Sequence, residues 1–142
     1  MATAIQVVFD CADPDKLSRF WAEALGYIQQ PPPDGFGSWE EWAREEGVPE
    51  ESWNDAGAVV DPEGKLPRLY FQKVPEGKVV KNRVHLDVNV GAGKKGEERQ
   101  ASIRGEADRL IGHGASMLYE FDRRGEFWIT MQDPEGNEFC LQ

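Results

Sequence analysis

The sequence predicts an α+β protein built from two βαβββ modules. Three observations carry that expectation. The turn Asp-Pro-Glu-Gly occurs twice, at Asp61–Gly64 and Asp133–Gly136, each time leading into a short alternating run, PRLYFQ or NEFCLQ. Upstream of each turn lies an amphipathic helical stripe, and upstream of each stripe a strand-like run, TAIQVVFDC or NRVHLDVNV. A module of this size is too small to bury its own sheet, so two of them paired complete a core. The chain is therefore read as a single domain, 1–142, with modules at about 1–80 and 81–142. The first carries a Trp-rich insertion at about 31–54.

The elements follow in order. TAIQVVFDC is rich in β-branched and aromatic residues and predicts a strand, with Ile5, Val7 and Phe9 on one face and Gln6, Val8 and Asp10 on the other. Asp13 is a good N-cap and Pro14 suits the first helical position, where its missing N–H costs nothing. Leu17, Phe20, Trp21 and Ala24 then form an apolar stripe, which Gly26 ends as a left-handed cap. QQPPPDGFGSW reads as a loop, SWEEWAREEG as a short helix with Trp39, Trp42 and Ala43 on one face, and GVPEESWND as turn-rich. AGAVV and PRLYFQKV flank the first Asp-Pro-Glu-Gly turn as a hairpin, its glycine supplying the positive φ.

KNRVHLDVNVG predicts the next strong strand, and GAGKKGEERQ a mobile loop running into a helix start. Ile103, Ala107, Leu110 and Ile111 form the second helical stripe, stopped by Gly112 or Gly114. SMLYEF, EFWITMQ and EFCLQ supply three further strands, the last two joined by the second Asp-Pro-Glu-Gly turn.

With 39% apolar residues, 5 Trp and 7 Phe among 142 residues, the composition is globular. A formal net charge of -10 argues against nucleic acid or an anionic membrane as partner. No signal peptide or membrane-length apolar run is visible. Cys11 and Cys140 lie far apart and read as reduced thiols on strands, which suits a cytoplasmic protein.

DCADPDKLSRFWAEALGY, KNRVHLDV and DPEGNEFCLQ, in this order and spacing, resemble the vicinal oxygen chelate superfamily. This is the glyoxalase and bleomycin-resistance fold, and the resemblance is strongest to its actinobacterial-type glyoxalase-like branch. It implies two modules whose sheets curl around a shared cleft, a small organic ligand there, and pairing as a homodimer. In metal-using relatives, up to four side chains from the first and last strand of each module hold one divalent ion. That ion polarises two neighbouring substrate oxygens as a Lewis acid.

Carried over residue by residue, the resemblance places His85 at a customary ligand position, Gln6 at its equivalent in the first module, and Cys140 where a Glu is usual. Tyr70 and Gln72 share a strand face, and either fits the fourth position. Glu138 shares the face of Cys140 but lies roughly 6–7 Å nearer the turn along the strand. A metal site of His85, Gln6 and Cys140 lacks the family's usual charge balance and general base, so the expectation is a binder with no required cofactor, a divalent ion being the alternative.

The candidate residues also have plainer roles. His85 equally suits a hydrogen bond to Asp87 or Arg83. Cys140 reads more plainly as a small buried packing residue, a common role for a free cysteine. His113 reads as a helix-end residue, and Arg123 and Arg124 as a solvated turn. Trp21 belongs to the helix stripe. Trp39, Trp42 and Trp53 either wall an aromatic pocket or cover a sheet edge or dimer contact, and Trp128 is another wall candidate. Candidate ligand-binding residues are thus Trp39, Trp42, Tyr70, Gln72 and Trp128. Three functions compete: a metal-independent small-molecule binder, a divalent-metal lyase, isomerase or dioxygenase, and a non-catalytic structural or regulatory module.

Overall fold

The structure, a computed structural model, describes residues 1–142. The chain divides into two compact units, Met1–Gly77 and Lys78–Gln142. The first contains β1 (Val7–Cys11), α1 (Pro14–Leu25), β2 (Ile28–Gln29), α2 (Trp39–Glu45), β3 (Ala56–Val60) and β4 (Leu69–Lys73), with a 3-10 turn at Glu50–Ser52. The second contains β5 (Asp87–Val88), α3 (Gly96–Gly112), β6 (Ser116–Arg123), β7 (Glu126–Gln132) and β8 (Glu138–Leu141). Sheet order is β1-β4-β3-β2 in one and β5-β8-β7-β6 in the other. In both, the first strand pairs parallel with the last and the other neighbours are antiparallel. The same topology is thus built twice, as the repeated turn predicts.

Local chemistry accounts for most of the elements. The Asp13 carboxylate accepts from the Lys16 N–H at 3.2 Å, Pro14 opens α1, and Gly26 closes it at φ 69°. Asn54 reaches this cap as well, donating to Asp13 at 2.8 Å and accepting from the Asp15 N–H at 2.8 Å. It thereby ties the end of the Trp-rich insertion to the start of α1. Ser38 caps α2 by accepting from the Glu41 N–H, and the Glu41 carboxylate reaches back to the Gly37 N–H. Both Asp-Pro-Glu-Gly turns close with a 2.9 Å bond from the glycine N–H to the aspartate carbonyl, and Gly64 and Gly136 sit at φ 69° and 84°.

Each sheet buries one face under its helix. In the first unit Leu17, Phe20, Trp21 and Ala24 pack on β3 and β4, where Val59, Leu69 and Phe71 are buried. In the second, Ile103, Ala107 and Leu110 cover Phe127, Ile129, Met131, Phe139 and Leu141. The alternation along β8 follows directly: Phe139 and Leu141 turn to the helix, while Glu138 and Cys140 turn to the opposite face.

Four expectations are corrected. The first strand begins at Val7, and Ile5 is 72% exposed, because main-chain pairing with β4 starts only at Val7 and Leu69. The helix expected after a longer mobile loop starts already at Gly96. Ile111 does not share the buried stripe but is 45% exposed, since it lies about 100° round the helix from Leu110, beyond the edge of that stripe.

The fourth correction bears on the site. The strand expected over KNRVHLDVNVG contracts to Asp87–Val88. Ahead of it the Asn82 side chain takes the place of a strand neighbour. Its carbonyl accepts from the Glu138 N–H at 2.7 Å and its amide donates to the Glu138 C=O at 3.2 Å. The same amide donates to the Val84 C=O at 2.6 Å, bending the backbone away from the ladder. No helix is long and apolar enough to cross a membrane.

Candidate functional site

In the second unit, strand register brings a row of polar side chains across the face opposite the helix. Asp87 on β5 lies beside Cys140 on β8, Cys140 beside Thr130 on β7, and Thr130 beside Tyr119 on β6. A register shift between Met117 and Tyr119 sets that last pairing. His85, two residues before Asp87, places its Nε2 3.2 Å from Asp87 Oδ1. The donor atoms of His85, Asp87 and Cys140 all lie within 4.8 Å of one another. Thr130 Oγ1 is 3.5 Å from Cys140 Sγ.

These residues line a cavity of about 250 Å³ whose apolar wall includes Trp128. The indole of Trp128 stacks on Phe121, its cross-strand neighbour, with centroids 3.8 Å apart and planes 12° apart. That contact holds the ring in one plane.

Glu138, on the same face, has other partners. It forms an ion pair with Lys78 at 3.0 Å and accepts from the Asn82 N–H at 3.3 Å. Burial pushes its carboxyl up, but the Lys78 ammonium and the Asn82 N–H outweigh this, and the net direction is down. Glu138 is thus an ionised carboxylate whose oxygens are already engaged and whose basicity is lowered.

Cys140 behaves in the opposite way. Burial pushes its thiol up, the Asp87 carboxylate adds to this, and the Thr130 hydroxyl and Lys81 only partly oppose it. The thiol is therefore protonated near neutrality. Alkylation of Cys140 by iodoacetamide is expected to reach half its limiting rate at a pH above that of a free cysteine peptide, about 8.5. Peptide mapping of the alkylated protein across pH 7–10 measures this, and a midpoint below the free-peptide value would contradict the assigned surroundings. Cys11, buried and donating to the Gln72 C=O at 3.5 Å, is expected to stay unmodified in the folded chain.

The first unit holds the other candidates. Gln6 accepts from Arg68 at 2.8 Å, so its side-chain oxygen is already engaged there. Gln72 donates to Asp10, its partner across β1 and β4, at 2.7 Å. Tyr70 instead turns toward Arg68, whose guanidinium lies 5.2 Å from its ring centroid. Tyr70 lines a groove of about 870 Å³ together with Trp39, Trp42, Trp53 and Arg68, and Gln72 does not. The structure thereby separates two residues that share a strand face.

The insertion tryptophans are positioned by their own polar edges. Trp39 donates its indole N–H to the Gln30 C=O at 2.7 Å, and Trp53 donates to the Val48 C=O at 2.9 Å. Trp39 and Trp42 meet edge to face, with centroids 5.4 Å apart. Of the remaining candidates, His113 sits at the C-terminal cap of α3. Arg123 lies 5.8 Å from the Phe121 ring, and Arg124 occupies the β6–β7 turn at φ 56°.

In the sequence Asp87 stands out only as a partner of His85, and Thr130 and Arg68 do not stand out at all. The alternation of His85 and Asp87 was a usable signal for the first. The place of Thr130 depends on register between strands, and no local pattern reveals it.

The family model described as Glyoxalase-like domain matches residues 6–142. The chain belongs to the glyoxalase-like domain family. No curated protein matches it by sequence. Among solved structures, the fosfomycin resistance protein FosX from Mesorhizobium loti is similar at TM-score 0.64 and 12% identity, covering 100% of this chain and 91% of that one. A possible glyoxalase from Bacillus cereus is similar at TM-score 0.59 and 15% identity, covering 99% of each chain. A FosX variant from Listeria monocytogenes, solved with Mn(II) and dihydroxypropylphosphonic acid, is similar at TM-score 0.63 and 12% identity, covering 100% and 90%. At such identities these likenesses establish the vicinal oxygen chelate fold and nothing finer.

For a glyoxalase-like chain the question of a divalent ion turns on its own donors. Ligands about 2.0–2.3 Å from a tetrahedral ion lie roughly 3.3–3.8 Å from one another. The donors of His85, Asp87 and Cys140, within 4.8 Å of one another, are more widely spread than that range, so binding an ion requires them to draw together. An imidazole, a carboxylate and a thiolate suit a borderline-soft ion such as zinc.

Proposed function

We propose that this glyoxalase-like protein binds a small organic molecule in the aromatic groove of its first unit and does not depend on the family's four-ligand metal site. One observation carries the reading. Trp39, Trp42 and Trp53, all from the segment outside the repeat, converge with Tyr70 on one groove of about 870 Å³. Small-molecule sites occupy roughly 300–1,000 Å³ and combine apolar walls with few polar groups. The indole N–H groups of Trp39 and Trp53 are already satisfied within the chain, so these rings present apolar surface. Arg68, partnered there by the amide oxygens of Gln6 and Gln30, adds a directional donor. A planar ligand with one acceptor group fits this lining.

Two engaged residues support independence from the family's metal arrangement. Gln6 is held by Arg68, and Glu138 by Lys78 and Asn82. The test is a fluorescence titration with anilinonaphthalene sulfonate and a panel of planar carboxylates and phenols. Saturable binding is expected, weakened about tenfold or more in Trp42→Ala, which corresponds to about 1.4 kcal/mol, and unchanged in Trp128→Ala. Equal affinity in wild type and Trp42→Ala, or no saturable binding, would overturn the reading.

The cluster of His85, Asp87 and Cys140 favours a second reading, a divalent-ion-dependent lyase, isomerase or dioxygenase. That reading requires turnover that stops when the ion is removed and returns with it. It also requires a general base other than the engaged Glu138.

A further inference from the structure

We infer that the second unit by itself holds one thiophilic divalent cation, of the zinc class, through His85 Nε2, an Asp87 carboxylate oxygen and Cys140 Sγ. This differs from the family arrangement in two respects. All three donors come from one unit, and Asp87 enters as a ligand while Gln6 is not needed.

Geometry is the first support. Asp87 and Cys140 are register partners on adjacent parallel strands, and His85 lies one step further along the same face, 3.2 Å from Asp87. Main-chain pairing between the short β5 and β8 thus sets Asp87 beside Cys140. Asn82 fixes the approach to His85 by pairing with the main chain of Glu138.

Chemistry is the second. One nitrogen, one oxygen and one sulfur donor reject the all-oxygen ions magnesium and calcium and favour zinc, cobalt or cadmium. With a neutral imidazole, a carboxylate and a thiolate, the ligand charge of −2 balances a divalent ion. That balance is absent from a set of His85, Gln6 and Cys140. The Thr130 hydroxyl, 3.5 Å from the sulfur, is placed to donate to a thiolate and steady it. The three donors line the same cavity as Tyr119 and Trp128, which leaves room beside them for a fourth ligand. Three protein ligands with an open fourth place is the pattern of a site that keeps an exchangeable water or ligand atom.

Cobalt(II) titration of the full chain tests this, because its spectrum reports both the donor and the geometry. One equivalent is expected to produce a near-ultraviolet sulfur-to-cobalt charge-transfer band and intense visible bands of a four-coordinate ion. Zinc should then abolish both by displacement. Cys140→Ser should remove the charge-transfer band. Asp87→Asn, which keeps the side-chain volume, should weaken binding beyond the roughly 10–100-fold that changes behind the ligands cost. Gln6→Ala, Cys11→Ala and Trp42→Ala should leave the spectrum unchanged, the last separating this site from the aromatic groove. Metal-free melting temperatures report whether each variant folds. A folded wild type without the charge-transfer band, a band that survives Cys140→Ser, or loss of binding in folded Gln6→Ala would each overturn the assignment.

Discussion

Trp21→Ala is expected to destabilise the protein by about 3–5 kcal/mol, the range for removing a large aromatic from a packed core. Trp21 is 1% exposed. Its ring lies 5.1 Å from Phe9 and meets Phe20 edge to face at 5.5 Å. Truncation removes that burial, leaves a cavity under α1, and strips two aromatic neighbours of their partner. Urea unfolding followed by far-ultraviolet circular dichroism measures it: the midpoint should fall while the slope stays constant. Trp39→Ala is the control, since that residue is 40% exposed and its loss should cost well under half as much. A Trp21→Ala loss below about 1 kcal/mol would show that the stripe is not the core of the first unit.

Asp133→Ala is expected to cost about 2–3 kcal/mol, and Asp61→Ala, the same substitution in the same four-residue turn, markedly less. Both carboxylates organise their turns by accepting from main-chain N–H groups. Asp61 takes those of Glu63, Lys65 and Leu66, which hold its carboxyl below the usual range even against some desolvation. Asp133 takes those of Glu135 and Asn137 and also the Asn137 side-chain amide. The difference is burial. Asp133 is 3% exposed, so its removal strands donors that water cannot easily reach. Donors freed at Asp61 are solvated at once. Paired denaturation curves test this, and equal losses would mean that both turns act through chain geometry alone.

That contrast shows how far a motif can be read. Asp-Pro-Glu-Gly announces a turn because its determinants are local: a side-chain acceptor, a fixed proline φ and a glycine at positive φ. The helix caps Asp13 and Gly26 and the stripe from Leu17 to Ala24 were legible for the same reason. Ile111 was not, because periodicity alone does not say how wide a stripe the sheet covers. The extent of β5 was not, because Asn82 competes with the strand ladder through a partner 56 residues away.

The candidate sites divide along the same line. His85 and Cys140 were visible as donors, and the insertion tryptophans as a group without an obvious packing role. That Tyr70 joins those tryptophans while Gln72 turns to Asp10 depends on cross-strand pairing. That Asp87 stands beside Cys140 depends on it too.

By itself the sequence determined the duplicated module, its turns, its first helix and the chemical types available for a site. Those follow from interactions within a few residues of one another. Only the tertiary structure decided which donors meet, because a parallel pairing between β5 and β8 joins residues 53 positions apart. A one-residue slip there would carry Cys140 to the helix face and leave Asp87 with no sulfur beside it.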